Sequence, residues 1–106
     1  MDIDTLRVLL EEGRYDTTRE FHRRSDRRGF SLQDAKMVIR VGAVIEERHD
    51  EKPCPKCTVA AVIPRQVAGV EIRDELHVAV AVCEDLVFVT GYWKNDRPRR
   101  KRWRKI

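Results

Sequence analysis

No stretch of this chain approaches the ~20 apolar residues that a membrane-spanning helix needs, and its longest apolar runs break within a few residues. A membrane role is therefore not expected. The opening Met1-Asp2-Ile3-Asp4 is acidic, unlike a secretory signal. Cysteine is scarce, three in all. An odd count without an export signal points to a reducing compartment, the cytoplasm. The chain also lacks a Walker loop, a dinucleotide-binding glycine fingerprint and a Gly-x-Ser-x-Gly turn. Those absences remove sequence support for nucleotide-dependent and serine-hydrolase chemistry.

What is present suits one domain of 106 residues, large enough to bury a core without disulfide staples. Hydrophobic residues make up 42% and charged residues 38%, a globular balance with a heavily charged surface. The net charge of +4 is unevenly spread. Residues 1–96 carry 18 acids against 15 Lys/Arg, whereas residues 97–106 hold seven Lys/Arg and no acid. The expected organisation is one domain over 1–96 with a basic tail over 97–106. Arg99, Arg100, Lys101 and Arg102 in that tail would neutralise phosphates, and Trp103 could stack on a base. The bland alternative is a solvated terminus with no particular partner.

Helical spacing places Ile3, Leu6, Leu9 and Leu10 on one face over residues 2–12, with Gly13 as a stop. Thr17 or Thr18 can cap a second helix to about Arg28, ended by Gly29. Ser31 and Asp34 form a capping-box pattern for a third helix through about Val41. Strands are expected at 43–47, 58–63 (stopped by Pro64), 67–72, 75–82 and 86–92, with a polar loop over 49–56. Helices followed by strands imply an α+β fold, with the N-terminal helices packed on one face of a twisted antiparallel sheet.

A two-residue turn at Glu84-Asp85 would pair His77 with Tyr92, Ala79 with Thr90 and Ala81 with Phe88. Leu76, Val78, Val80 and Val82 would then join Val87, Val89 and Gly91 against the helices. His77, Ala79, Ala81, Phe88, Thr90 and Tyr92 would floor a shallow groove. A histidine beside a tyrosine on an open sheet face can do acid–base work, taking a proton from a ribose 2′-OH or giving one to a leaving 5′-oxygen. Arginines nearby would stabilise the phosphate charge without a metal. Helix two carries Arg19, Arg23 and Arg27 on one stripe and Arg24 and Arg28 on another, and Arg65 follows Pro64 on the rim. Such stripes serve either as a solvated face or as a phosphate track. His77 itself could be an ordinary half-exposed strand residue.

Two segments resemble known bacterial proteins. "LRVLLEEGRYDTTREFHRRSDRRGFSLQD" and "ELHVAVAVCEDLVFVTGYW" look like the opening and the closing hairpin of MqsR-type toxins. "RRSDRRGFS", "GAVIEE", "KPCPKC" and "LHVAVAV" also resemble an uncharacterised domain family related to those toxins. The resemblance covers roughly residues 6–93. It implies a RelE/MqsR-like fold, metal-independent cleavage of mRNA (on or off the ribosome), and an antitoxin partner, often one with a zinc-binding domain. It aligns His77 with a functional tyrosine of the toxins, Arg24 and Arg28 with an "RxxxRG" pair, and Thr90 and Tyr92 with a final-strand "TxY". Three departures stand out. Glu20 occupies a usual histidine position, with His22 two residues away. The toxins' lysine falls near Glu47 or Arg48, and their strand glutamine has no counterpart.

The expected site is thus His77, Tyr92 and Arg65 for chemistry, with Arg24, Arg28, Thr90 and the tail for RNA. No cofactor is expected. A weak alternative is zinc held by Cys54, Cys57 and His49, since Cys54-Pro55-Lys56-Cys57 is only one pair of the two that a zinc site normally shows. The second functional expectation is a diverged, non-catalytic module that binds RNA or protein.

Overall fold

The computed structural model describes residues 2–96. The elements are α1 (Ile3–Glu11), β1 (Tyr15–Thr17), α2 (Arg19–Arg28), α3 (Leu32–Val41), β2 (Ala43–Arg48), β3 (Lys56–Val67), β4 (Val70–Val82), β5 (Leu86–Trp93) and a 3-10 turn, Lys94–Asp96. The fold is α+β, as the sequence implies. The helix boundaries follow from local chemistry. Thr18 accepts a hydrogen bond from the Phe21 amide at the start of α2, and left-handed Gly29 ends that helix. Ser31 and Asp34 make the expected capping box on α3.

The sheet order is β1-β5-β4-β3-β2. It is mixed rather than purely antiparallel, because the short β1 pairs in parallel with the start of β5. Three residues with no apolar alternation give no strand signal, so β1 is a product of tertiary pairing. The sequence expectation also divided β3 and β4 into three strands. Instead they form one long hairpin paired from Lys56–Ala81 to Val67–Val70. Pro64 does not stop β3, for a geometric reason. Pairs alternate inward from the closing Val67–Val70 pair, which makes Pro64–Arg73 a non-hydrogen-bonded pair with the proline nitrogen facing outward. β2 pairs β3 only over residues 56–60, so that outward edge loses no ladder bond at residue 64.

The helices cover one face of the sheet. Leu76, Val78 and Val80 of β4 and Val59 of β3 are fully buried there with Leu6, Phe21, Val38 and Ile39 of the helices. Phe88 and Trp93 of β5 complete this core, each with no exposed surface. At about 25 cal/mol per Å² of apolar surface removed from water, such aromatic and aliphatic burial is the main force holding helices to sheet. Gly91 is needed at its position for contact reasons. A Cβ there would stand 2.8 Å from the Phe30 ring, which packs directly on the strand backbone.

The β4–β5 register reaches the expected pairing of His77 with Tyr92 and Ala79 with Thr90 by a different route. The loop has three residues rather than two, since Val82 pairs with Leu86. A β-bulge at Val89 then restores the register beyond it. Between loop and bulge the faces are reversed relative to expectation. Phe88 therefore lies in the core rather than on the groove, and Val87 lies on the other face. The bulge coincides with helix docking, for Thr18 bonds through its amide to the Phe88 carbonyl at 3.1 Å and through its hydroxyl to the Val89 carbonyl at 2.8 Å.

Candidate functional site

Alternation along β4 sends Glu75, His77, Ala79 and Ala81 to the face opposite the helices. Register adds Thr58, Ala60 and Val62 of β3 and Thr90 and Tyr92 of β5. None of the helices among the described residues covers this face. His77 lies near its centre, flanked by β3 and β5, with the small Ala60 directly across β3.

Three side chains form a hydrogen-bonded line. Glu75 Oε2 lies 2.6 Å from His77 Nε2, and the Tyr92 hydroxyl lies 3.0 Å from His77 Nδ1. The two rings are tilted at 39° with centroids 4.9 Å apart. Sequence reasoning found His77 and Tyr92 and missed Glu75. The signal was present: Glu75 and His77 are two apart on one strand, so they share a face. Lys94 sits 4.0 Å from the other oxygen of Glu75, a long and exposed contact.

Arginine approaches from the sheet edge. β1 covers the outer edge of β5 only as far as Phe88, and α2 takes over beyond it. Arg28 donates to the Gly91 carbonyl at 2.8 Å, beside Tyr92 in sequence, and the Trp93 indole donates to the Arg28 carbonyl at 2.9 Å. Arg24 lies one turn earlier on the same stripe, loosely paired with Glu20 at 3.9 Å. Arg28 therefore holds a guanidinium at the β5 edge next to Tyr92. His22 belongs to a different contact, 2.7 Å from the Thr17 hydroxyl.

Arg65 is not part of this arrangement. It pairs with Ile72 on the helix-side face, where it reaches buried Asp74 at 2.7 Å and Asp96 at 3.1 Å. Its guanidinium also stacks 4.7 Å from the Trp93 ring centroid. The parity of β3 decides this: Arg65 has the same phase as core residues Val59 and Ile63. Asp74 additionally accepts from Asn95 at 2.8 Å and from the Glu75 amide at 2.7 Å. Arg65 thus ties the end of β5 and the 3-10 turn to β4.

The expected zinc set of Cys54, Cys57 and His49 does not converge. Cys54 is disulfide-bonded to Cys83, while Cys57 is buried on the helix side as a free thiol. His49 lies beside Glu47 on an exposed loop, and no cluster suited to a metal ion occurs among the described residues. The odd cysteine count is therefore one disulfide plus one core thiol, which weakens the inference of a reducing compartment drawn from it. Burial, with the charge of Glu47 second, pushes the Cys57 thiol up to about 11. Arg99, Arg100, Lys101, Arg102 and Trp103 lie outside the described residues. No helix among the described residues is long and apolar enough to cross a membrane.

One family matches this chain, described as "Domain of unknown function (DUF4258)", over residues 17–93. The chain belongs to the DUF4258 family. The DUF4258 span runs from the end of β1 through β5, so it contains Arg24, Arg28, Glu75, His77, Thr90 and Tyr92 and excludes α1. No curated protein and no solved structure matches the chain.

Proposed function

We propose that this DUF4258 domain has a RelE/MqsR-like fold and is the toxin of a type II toxin–antitoxin pair, a metal-independent endoribonuclease acting on mRNA. The observation that carries the reading is the His77–Tyr92 pair on the sheet face opposite the described helices, backed by Glu75 and flanked by Arg28 of α2. In the proposed reaction a ribose 2′-oxygen attacks the adjacent phosphorus in line. The P–O5′ bond breaks, leaving a 2′,3′-cyclic phosphate and a free 5′-hydroxyl. The 2′-OH proton passes to the His77–Tyr92 pair, the departing 5′-oxygen takes a proton from water, and the pair then returns its proton to solvent. Positive charge from Arg24 and Arg28 offsets the charge that builds on phosphate. Thr90 and the tail residues Arg99, Arg100, Lys101, Arg102 and Trp103 extend contact along the RNA. The partner is a cognate antitoxin, of the kind that can carry a zinc-binding domain.

Purified protein should cleave mRNA, with or without ribosomes present. His77→Ala should abolish that cleavage and relieve growth arrest on expression. Intact RNA after incubation with the wild-type protein in both settings refutes the nuclease reading. A second reading, a non-catalytic RNA- or protein-binding module of the same fold, is favoured by one observation. His77 is only 11% exposed and both its ring nitrogens are engaged. It predicts RNA or partner binding that His77→Ala leaves intact, without cleavage.

A further inference from the structure

The order of groups along the Glu75–His77–Tyr92 line assigns them different jobs. We infer that Glu75 is a positioning residue that keeps a proton on His77 Nε2, so that Nδ1 exchanges its proton with Tyr92 and the Tyr92 phenol, not the imidazole, meets the substrate. The second half of this inference rests on the nuclease reading; the first half stands on geometry alone.

An ionised carboxylate only accepts hydrogen bonds. With Glu75 Oε2 at 2.6 Å, Nε2 must carry a hydrogen whether the ring is neutral or charged. The nitrogen that gains and loses a proton is then Nδ1, and Nδ1 faces the Tyr92 hydroxyl at 3.0 Å. In the neutral ring Nδ1 accepts from Tyr92; in the charged ring it donates. An acceptor fixed behind one nitrogen sets the tautomer presented by the other. The imidazole is also shut in, 11% exposed, between β3 and β5. A substrate hydroxyl reaching Nδ1 directly would have to displace Tyr92.

The proton inventory closes through the phenol. As the 2′-oxygen bonds to phosphorus, its proton moves to the Tyr92 oxygen while the phenolic proton moves to His77 Nδ1. Tyrosine ends neutral, and the imidazolium lies against the Glu75 carboxylate. Return of the Nδ1 proton through Tyr92 to water resets the site. The Asp74 cluster anchors the carboxylate end of the line, because the Glu75 backbone N–H donates to Asp74 at 2.7 Å.

Nitrogen-edited NMR of the full chain, at a pH where the imidazole is neutral, reads the tautomer directly. The His77 signals are assigned by their loss in His77→Gln. The wild type should show hydrogen on Nε2 and a bare Nδ1. Glu75→Gln, which keeps an acceptor oxygen, should retain that pattern in a folded protein, and Glu75→Ala should give a mixture of tautomers. Hydrogen on Nδ1 in the wild type, or an unchanged tautomer in Glu75→Ala, overturns the positioning role. In the cleavage assay Tyr92→Phe and His77→Gln should both lose roughly 10²–10⁴-fold. Glu75→Ala should lose roughly 10–100-fold, with Glu75→Gln nearer the wild type. A Tyr92→Phe variant that cuts at the wild-type rate while His77→Gln does not would show that the imidazole itself meets the substrate. Absence of cleavage by the wild type overturns the nuclease reading alone, since the tautomer is read without RNA.

Discussion

Replacing Asp74 tests whether Arg65 is a structural residue or a chemical one. The Asp74 side chain is 2% exposed and that of Arg65 14%, so their ion pair at 2.7 Å is largely out of water. Asp74→Ala removes the acceptor for Arg65, for Asn95 and for the Glu75 amide at once. Breaking one side of a buried pair costs about 3–5 kcal/mol, because the remaining charge stays desolvated. Arg65→Ala should cost a similar amount, since it leaves the Asp74 carboxylate, 2% exposed, with only the neutral Asn95 and Glu75 N–H donors. For a domain of this size each kcal/mol shifts the melting temperature by about 4–8 °C. Thermal unfolding of Asp74→Ala should therefore shift down by roughly 12–40 °C on the same scaling. The double variant should recover part of the summed loss, because the two residues share one interaction. Urea unfolding of the two single variants and the double gives the coupling. Losses under about 1 kcal/mol for both single variants refute the buried-pair argument. A stable Arg65→Ala protein that has lost RNA cleavage refutes it differently, by returning Arg65 to the chemistry.

Three further outcomes follow from the geometry. The β3–β4 turn holds Ala68 at φ 51° and Gly69 at φ 78°, and a non-glycine left-handed residue costs roughly 1–2 kcal/mol. Ala68→Asn should therefore raise the urea midpoint, and a lowered midpoint counts against this turn. Gly91→Ala should lower stability by about 1–3 kcal/mol through the clash with Phe30, and an unchanged midpoint would show that the ring is not seated on the strand. Cys57, with its thiol pushed up to about 11, has on the order of one thiolate per thousand molecules at pH 8. It should resist alkylation until the chain is unfolded, and rapid labelling of the native protein would contradict its buried placement.

Much of the architecture could be read locally. The caps at Thr18 and Ser31, the glycine stop at Gly29 and the 3.6-residue spacing of Leu6, Leu9 and Leu10 act over four or five residues, and the helices form where those signals lie. The α+β class and the alternation of β4 follow from the same short-range periodicity. His77 and Tyr92 were also legible as partners, although two deviations cancelled to make them so: an extra residue in the loop and an extra residue in the bulge. Glu75 was missed although strand parity already placed it beside His77.

Sequence alone fixed what depends on a residue and its near neighbours: the helix ends and the alternation along β4. Tertiary structure decided what depends on which strands meet. The parallel pairing of β1, the passage of β3 through Pro64, the bulge that turns Phe88 inward, the Cys54–Cys83 link and the withdrawal of Arg65 into a buried ion pair all join parts of the chain whose pairing no local pattern encodes. Their energies come from burial and register across distant segments, and these exist only once the sheet has assembled.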